Sequence, residues 1–165
     1  MFSFNIPEEI MNEAQTVLGL FRERGITAAL AESCTGGLCA AALTEIPGAS
    51  SVLLCGYTVY SNEAKQRDLD VSAETLMRCG AVSEETVAEM LQGLLNKTGC
   101  AVAGAVSGIA GPDGGTPEKP VGTVYIGTAS AGGCCIERYC FEGDRSAVRR
   151  LSAKALFRML VKQIY

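Results

Sequence analysis

The chain has 165 residues, 48% of them hydrophobic, and a formal net charge of −4. This length and composition are those of one domain that buries its own core, and they exclude a disordered or fibrous chain. The net charge argues against a general nucleic-acid-binding protein, and no apolar run is long enough to predict a membrane span.

The first half of the chain predicts helices alternating with strands. Pro7, followed by two glutamates, opens the first helix, and Gly25 ends it. A second helix begins after Thr35-Gly36-Gly37. Short uncharged runs rich in β-formers predict buried strands over 26–31 and 52–60, and we expect the second of these to be a central strand.

The second half predicts helices, three strands and a closing helix. Ser72 and Ser83 have the residue type and position of helix caps, and Gly99 ends the most regular helix of the sequence. The three strands are predicted over 100–106, 121–129 and 134–141. The last two form an antiparallel hairpin, and an amphipathic helix that starts near Asp144 closes the chain.

This order of elements predicts an α/β protein. We expect residues 1–165 to form a single-domain three-layer α/β/α fold, with a mixed, mostly parallel sheet and an antiparallel hairpin near the C-terminus. The eight cysteines contain no C-x-x-C pair, and several lie inside strand-like runs where a thiol packs as a small hydrophobe. We therefore expect a cytoplasmic protein with mostly free thiols, and no metal site.

Three loops at predicted strand ends carry the residues that are capable of catalysis or ligand binding: 32–37, 60–65 and 107–120. Ligands bind beyond the carboxyl ends of strands in open α/β sheets, so we expect these loops to converge on one pocket. The chain has no histidine, which excludes a Ser-His-Asp triad, so a serine nucleophile needs another base. The segment between Ser33 and Lys65 is long enough for a helix, a turn and a strand, so adjacent strands can present both side chains.

Each of these residues also has a purely structural interpretation. Ser33 has the position of a helix cap, although Thr35 caps equally well and lies nearer the helix. Cys34 is a rival nucleophile, but without histidine its thiolate needs another source of activation. Lys65 fits a solvated helix position, and as a base its pKa must fall from about 10.4 towards neutrality. Tyr60 is either an ordinary strand aromatic or a hydrogen-bond relay between Ser33 and Lys65.

The glycine-rich loop over 107–115 is neither a Walker A motif nor a G-x-G-x-x-G fingerprint, so it does not predict ATP or NAD chemistry. Its glycines let backbone N–H groups approach an anion. With Lys119, Arg145 and the helix that starts near Asp144 they form a candidate phosphate site. The alternative is a structural turn. For Arg149 we expect a solvated helix face.

Four ordered motifs resemble the CinA C-terminal-domain family, whose enzymes are nicotinamide-nucleotide amidases. They are AESCTGG at 31–37, YSNEAK at 60–65, GAVS at 80–83, and SGIAGPDGG at 107–115 continuing into KPVGTV at 119–124. The resemblance runs from about Glu8 to the C-terminus. It implies hydrolysis of nicotinamide mononucleotide to nicotinate mononucleotide and ammonia in NAD recycling, by a Ser/Lys acyl-enzyme mechanism without metal or cofactor.

The resemblance also implies roles for individual residues. Ser33 attacks the amide, Lys65 accepts its proton and later protonates the departing ammonia, and Tyr60 assists. The substrate-binding residues that we expect from the three loops and the last helix are Cys34, Thr35, Gly36, Gly37, Asn62, Ser107, Gly108, Gly111, Lys119 and Arg145. We expect a homo-oligomer, with no nucleic-acid or membrane partner.

Two alternatives to the amidase stay open at this point. One is a catalytically weak or inactive member of the same family that binds pyridine nucleotides or acts as an interaction module. The other is a cysteine hydrolase that uses Cys34. Retention of Ser33, Tyr60 and Lys65 together favours the amidase over both.

Overall fold

The computed structural model describes residues 6–165. Within that range the α-helices are α1 (Glu8–Glu23), α2 (Leu38–Thr44), α3 (Asn62–Leu69), α4 (Ala73–Cys79), α5 (Glu84–Thr98) and α6 (Arg145–Lys162), and a short 3-10 helix spans Ala49–Ser51. The strands are β1 (Ala28–Glu32), β2 (Leu53–Thr58), β3 (Val102–Gly108), β4 (Thr123–Ser130) and β5 (Gly133–Cys140).

The five strands form one open mixed sheet in the order β2-β1-β3-β4-β5. Strand β1 pairs in parallel with both β2 and β3, β4 runs antiparallel to β3, and β5 returns antiparallel to β4. The predicted mixed sheet and C-terminal hairpin are confirmed. The prediction that β2 is central was wrong, because β2 lies at the sheet edge with alternate residues exposed. Its β-forming residues indicate a pleated strand but not the number of neighbouring strands.

Helices cover both faces of the sheet, which confirms the three-layer prediction. On one face α1, α2 and α6 pack around a core that includes Phe21, Leu30 and Phe157. On the other face α3, α4 and α5 pack around Met90 and Leu94. All five residues of β1 are buried, as expected for a strand that is covered on both faces.

Polar caps begin most of the helices that surround the site. The side chains of Ser61, Ser72 and Ser83 each accept a hydrogen bond from the backbone N–H three residues later. The predicted caps at Ser72 and Ser83 are therefore confirmed. Asp144 caps α6 in the same way, and Gly99 ends α5 with a φ of 63°.

The parallel strands β1, β2 and β3 bring their carboxyl ends to one edge of the sheet. The loops that follow them are the three loops in which the sequence concentrates its chemically capable residues. Their predicted convergence is confirmed, since residues from all three line one cavity. No helix within residues 6–165 has both the length and the apolar character needed to cross a membrane.

Candidate active site

Ser33 and Lys65 meet directly at the carboxyl end of β1. Lys65 Nζ lies 3.0 Å from Ser33 Oγ, within hydrogen-bonding distance. Ser33 follows β1, and its N–H donates to the carbonyl oxygen of Val106 at 3.0 Å, which continues the ladder to β3. Lys65 lies in the first turns of α3, which begins soon after β2. The neighbouring strands β1 and β2 thus position the pair, as the sequence predicts.

Lys65 is one of the largest fully buried side chains of the protein, with 1% of its surface exposed. Its Nζ donates a second hydrogen bond to the carbonyl oxygen of Val59 at 2.8 Å. Burial lowers the pKa of Lys65, because the charged ammonium loses its hydration, and the neighbouring Cys34 opposes that shift more weakly. The interpretation of Lys65 as a solvated helix residue is therefore wrong, and its burial favours the neutral amine over the ammonium.

Cys34 also lines the cavity, but its thiol is poorly suited to attack. Burial raises the pKa of Cys34 to about 11, and the nearby Glu32 adds to the rise. The thiolate is the nucleophilic form, so Cys34 carries little of it at neutral pH. This environment argues against the cysteine-hydrolase alternative.

The turn over residues 33–37, which we call the Ser33 turn, is held by a residue that sequence reasoning missed. Neither Ser33 nor Thr35 caps α2. Instead the buried side chain of Glu32 accepts hydrogen bonds from the N–H groups of Cys39 at 3.0 Å and Ala40 at 2.8 Å. The available signal was a carboxylate at the end of an uncharged buried strand, where a polar group is tolerated only if it is hydrogen-bonded.

The cavity beside Ser33, which we call the cleft, has a volume of about 260 Å³. Its lining residues are Ser33, Cys34, Tyr60, Lys65, Ala81, Val82, Ser107, Gly108, Ile109, Ala110, Gly111, Asp113, Gly114 and Arg145. Across residues 6–165, no cluster of three or more His, Cys, Asp or Glu side chains is arranged to hold a metal ion.

The glycine-rich side of the cleft requires its glycines for close packing. A Cβ on Gly108 would lie 2.6 Å from Val124, and one on Gly111, where φ is 83°, would lie 2.5 Å from Val121. Ser107 does not point a free hydroxyl at a ligand, because its Oγ donates to the carbonyl oxygen of Ala81 at 2.7 Å. The loop is thus a close-packed wall that the 80–83 motif supports.

Arg145 and Tyr60 form the mouth of the cleft. The Arg145 guanidinium donates to the carbonyl oxygen of Gly111 and to the Tyr60 hydroxyl, each at 2.9 Å. Tyr60 is 59% exposed. The predicted relay through Tyr60 needs correction, because Lys65 reaches Ser33 without an intermediary and the Tyr60 hydroxyl accepts from Arg145. Both hydrogen-bond partners of Arg145 in the described part of the chain are neutral, and none of the salt bridges found there includes Arg145.

Five of the expected substrate-binding residues lie outside the cleft lining, namely Thr35, Gly36, Gly37, Asn62 and Lys119. Lys119 donates from Nζ to the carbonyl oxygens of Cys79 at 2.9 Å and Val82 at 2.7 Å, so it ties its loop to the connection between α4 and α5. The prediction of a phosphate-binding Lys119 is therefore corrected to a structural contact. Asn62 is the exposed first residue of α3 and does not line the cleft.

Thr35, Gly36 and Gly37 belong to the Ser33 turn rather than to the cleft lining. Thr35 is fully buried, its hydroxyl has no hydrogen-bond partner within residues 6–165, and its carbonyl oxygen accepts from Arg149 at 2.7 Å. Gly36 and Gly37 have φ values of 60° and 89°, which favour glycine. The expected solvated position of Arg149 was wrong, because the fold brings α6 against this turn.

In chemical terms, the site combines a serine hydroxyl with a desolvated amine in hydrogen-bonding reach. A neutral amine in such a pairing can accept the proton of a serine hydroxyl where no histidine is present. The cleft adds at its mouth the Arg145 guanidinium, which forms no salt bridge within residues 6–165 and suits an anionic substrate group.

Comparisons with known proteins agree with the sequence motifs. The family model described as the CinA C-terminal domain matches residues 11–164. A CinA-like protein of Geotalea uraniireducens is 52% identical over 137 residues, which cover 83% of this chain and 33% of that protein. One from a Thermotoga species is 44% identical over 161 residues, covering 98% of this chain and 39% of that protein. The chain thus spans about a third of the length of the curated relatives it matches.

Solved structures share the whole fold. The competence/damage inducible protein CihA from Agrobacterium tumefaciens superposes with a TM-score of 0.95 at 38% identity, covering 99% of this chain and 100% of that one. The competence damage-inducible protein A from Klebsiella pneumoniae superposes with a TM-score of 0.90 at 37% identity, covering 94% of this chain and 96% of that one.

Proposed function

The chain belongs to the CinA C-terminal-domain family, and from that premise we propose that it is an amidohydrolase acting on nicotinamide mononucleotide. The products are nicotinate mononucleotide and ammonia. The observation that carries the proposal is the 3.0 Å separation of Ser33 Oγ from the buried Lys65 Nζ. The motif resemblance supports the choice of substrate.

Acylation begins with Lys65 as the neutral amine. Its Nζ then accepts the proton of the Ser33 hydroxyl, while an N–H of the same amine stays bonded to the Val59 carbonyl oxygen. Ser33 Oγ forms a bond to the carboxamide carbon, and the carbonyl electron pair moves onto oxygen. When the tetrahedral intermediate collapses, the C–N bond breaks and the Lys65 ammonium protonates the departing nitrogen to give ammonia.

Deacylation repeats the same proton transfers with water. Lys65, neutral again, accepts a proton from a water molecule that attacks the Ser33 ester. Collapse of the second intermediate breaks the bond to Ser33 Oγ, and the proton held by Lys65 returns to that oxygen. The product leaves as the carboxylic acid, which gives its remaining proton to solvent to become the carboxylate, and both side chains regain their starting state.

Backbone N–H groups are the candidate donors for stabilising the oxyanion. Cys34, Ala110 and Gly111 line the cleft, and in residues 6–165 none of their backbone N–H groups donates to a backbone acceptor. In other hydrolases one such donor contributes roughly 3 to 4 kcal/mol to transition-state stabilisation. We propose that the carbonyl oxygen of the substrate lies among these groups.

The mouth of the cleft accounts for recognition of a nucleotide. The Arg145 guanidinium, whose two hydrogen-bond partners are neutral, is the candidate partner of the substrate phosphate, for which bidentate arginine contacts are well suited. The exposed Tyr60 ring is available to stack on the pyridinium ring. Tyr60 therefore serves binding rather than proton transfer in this proposal.

Ammonia release from nicotinamide mononucleotide tests the proposal. Ser33→Ala and Lys65→Ala are each expected to abolish it, while Lys97→Ala, which removes an exposed ion pair to Asp70, is the matched control. Saturable binding of the nucleotide without ammonia release would instead identify a non-catalytic binding module. Full activity in either site variant would contradict the assigned roles.

A further inference from the structure

We propose that Glu32 and Arg149 are positioning residues that fix the Ser33 turn from its two sides. Both act through Ser33, so the inference rests on the proposed serine chemistry. Neither side chain lines the cleft. The hydrogen bonds by which they hold the turn and the helix that follows it go to backbone groups, and Glu32 also contacts the Cys39 thiol. Their contribution is therefore to the geometry of the nucleophile and not to contact with the substrate.

Glu32 ties the start of the turn to its end. The residue immediately precedes Ser33, is 1% exposed, and uses both side-chain oxygens on the first N–H groups of α2. The N-cap residue of α2 is Gly37, which has no side chain to supply the cap. Glu32 thus caps α2 from a position before the turn, as Ser61, Ser72 and Ser83 cap their own helices. The same hydrogen bonds connect the start of the turn to its end.

Arg149 of α6 holds the middle of the Ser33 turn. Its Nη2 donates to the carbonyl oxygen of Thr35 at 2.7 Å and lies close to Gly36, where an added Cβ would be 3.8 Å away. Arg149 lies one helical turn after Arg145, so α6 contacts the nucleophile turn and the mouth of the cleft with successive side chains.

The Ser33 turn needs contacts from side chains outside it because its own backbone can adopt many conformations. Gly36 and Gly37 are consecutive glycines with positive φ, and glycine has more accessible backbone conformations than any other residue. Without Glu32 and Arg149 the turn gains alternative backbone conformations, and Ser33 Oγ spends less time within hydrogen-bonding distance of Lys65. A misplacement of about 1 Å in such a geometry costs roughly 10²-fold in rate.

Two measurements on Glu32→Gln and Arg149→Met test this role. The first is kcat and KM for nicotinamide mononucleotide, and the second is the rate at which a fluorophosphonate phosphonylates Ser33 with loss of fluoride, which requires no nucleotide recognition. We expect both kcat and the fluorophosphonate rate to fall about 10²-fold in Glu32→Gln and about tenfold in Arg149→Met, with KM nearly unchanged.

Controls separate positioning from general damage. Arg150→Met alters the next residue of α6, which contacts Ser146 and Glu9, and is expected to retain wild-type rates. Arg149→Lys is expected to recover part of the loss, because it restores a cationic donor to the Thr35 carbonyl. Thermal unfolding verifies that the variants are folded, and if Glu32→Gln does not fold, the Arg149 pair carries the test.

The outcomes distinguish this inference from the proposed function. Wild-type fluorophosphonate rates in folded variants, or a change confined to KM, would overturn the positioning role. A wild-type protein that reacts with fluorophosphonate but not with nicotinamide mononucleotide would remove the proposed substrate while leaving the positioning test in force. A wild-type Ser33 inert to fluorophosphonate would contradict both.

Discussion

Gly93→Ala tests whether the packing of α3 against α5 keeps Lys65 in place. Gly93 lies inside α5, where an added Cβ would sit 2.1 Å from the carbonyl oxygen of Leu69 and 2.8 Å from its carbonyl carbon. Leu69 ends α3, one turn after Lys65. The obstructing atoms are backbone, so no side-chain rotation relieves the contact, and the two helices must move apart.

The required movement can be estimated from the structure. Real Cβ atoms essentially never lie closer than 3.0 Å to another heavy atom. The helices α3 and α5 must therefore move apart until the distance from the added Cβ to the Leu69 oxygen has grown from 2.1 Å to at least 3.0 Å. Overpacking of this kind costs about 1 to 3 kcal/mol of unfolding free energy. Because α3 carries Lys65, a displacement of about 1 Å also predicts a fall in kcat of roughly 10²-fold.

Urea unfolding and ammonia-release kinetics measure the two effects on the same sample. Gly19→Ala is the matched control, since Gly19 lies inside α1 with no heavy atom within 4 Å of an added Cβ. That control is expected to raise the unfolding free energy by about 1 kcal/mol, the difference in helix propensity, with kcat unchanged. Wild-type stability and wild-type kcat in Gly93→Ala would refute the coupling between the α3–α5 contact and the site.

Three further predictions concern the site itself. Because Lys65 must be neutral to accept a proton and burial lowers its pKa, kcat/KM is expected to rise with pH and then to level off. The midpoint of that rise is expected to lie below pH 10.5, the ordinary pKa of a lysine side chain. A midpoint at or above that value would contradict a desolvated base. Cys34→Ala is expected to keep kcat within about threefold, because a buried thiol with a pKa of about 11 supplies no nucleophile, and loss of turnover would restore the cysteine mechanism. Arg145→Met is expected to raise KM for nicotinamide mononucleotide by about tenfold or more, the value of a charge-assisted hydrogen bond, but to leave KM for the unphosphorylated riboside nearly unchanged. Equal effects on both substrates would remove Arg145 from phosphate recognition.

Local signals explain what the sequence predicts correctly. The caps at Ser72 and Ser83 and the end of α5 at Gly99 depend on contacts within a few residues. The convergence of Ser33 and Lys65 follows from a general property of parallel strands, which bring their carboxyl ends to one edge of the sheet. These features need no knowledge of which distant residues become neighbours.

Long-range choices of partner explain what the sequence does not predict. Arg145 bonds to Tyr60 across 85 positions, Arg149 to the Thr35 carbonyl across 114, and Lys119 to the Cys79 carbonyl across 40. A basic side chain in a sequence pattern is equally compatible with a substrate, solvent or a backbone carbonyl. The edge position of β2 is missed for a related reason, because strand composition does not specify the number of neighbouring strands.

Covalent trapping of the acyl-enzyme tests the central claim most directly. Wild-type protein mixed with excess nicotinamide mononucleotide is quenched in acid within one turnover, digested and analysed by mass spectrometry. The dyad geometry predicts a nicotinate-mononucleotide ester on Ser33 that is absent from Lys65→Met. An adduct on Cys34, or ammonia release with no adduct on Ser33 at any quench time, would contradict the assignment of Ser33 as the nucleophile.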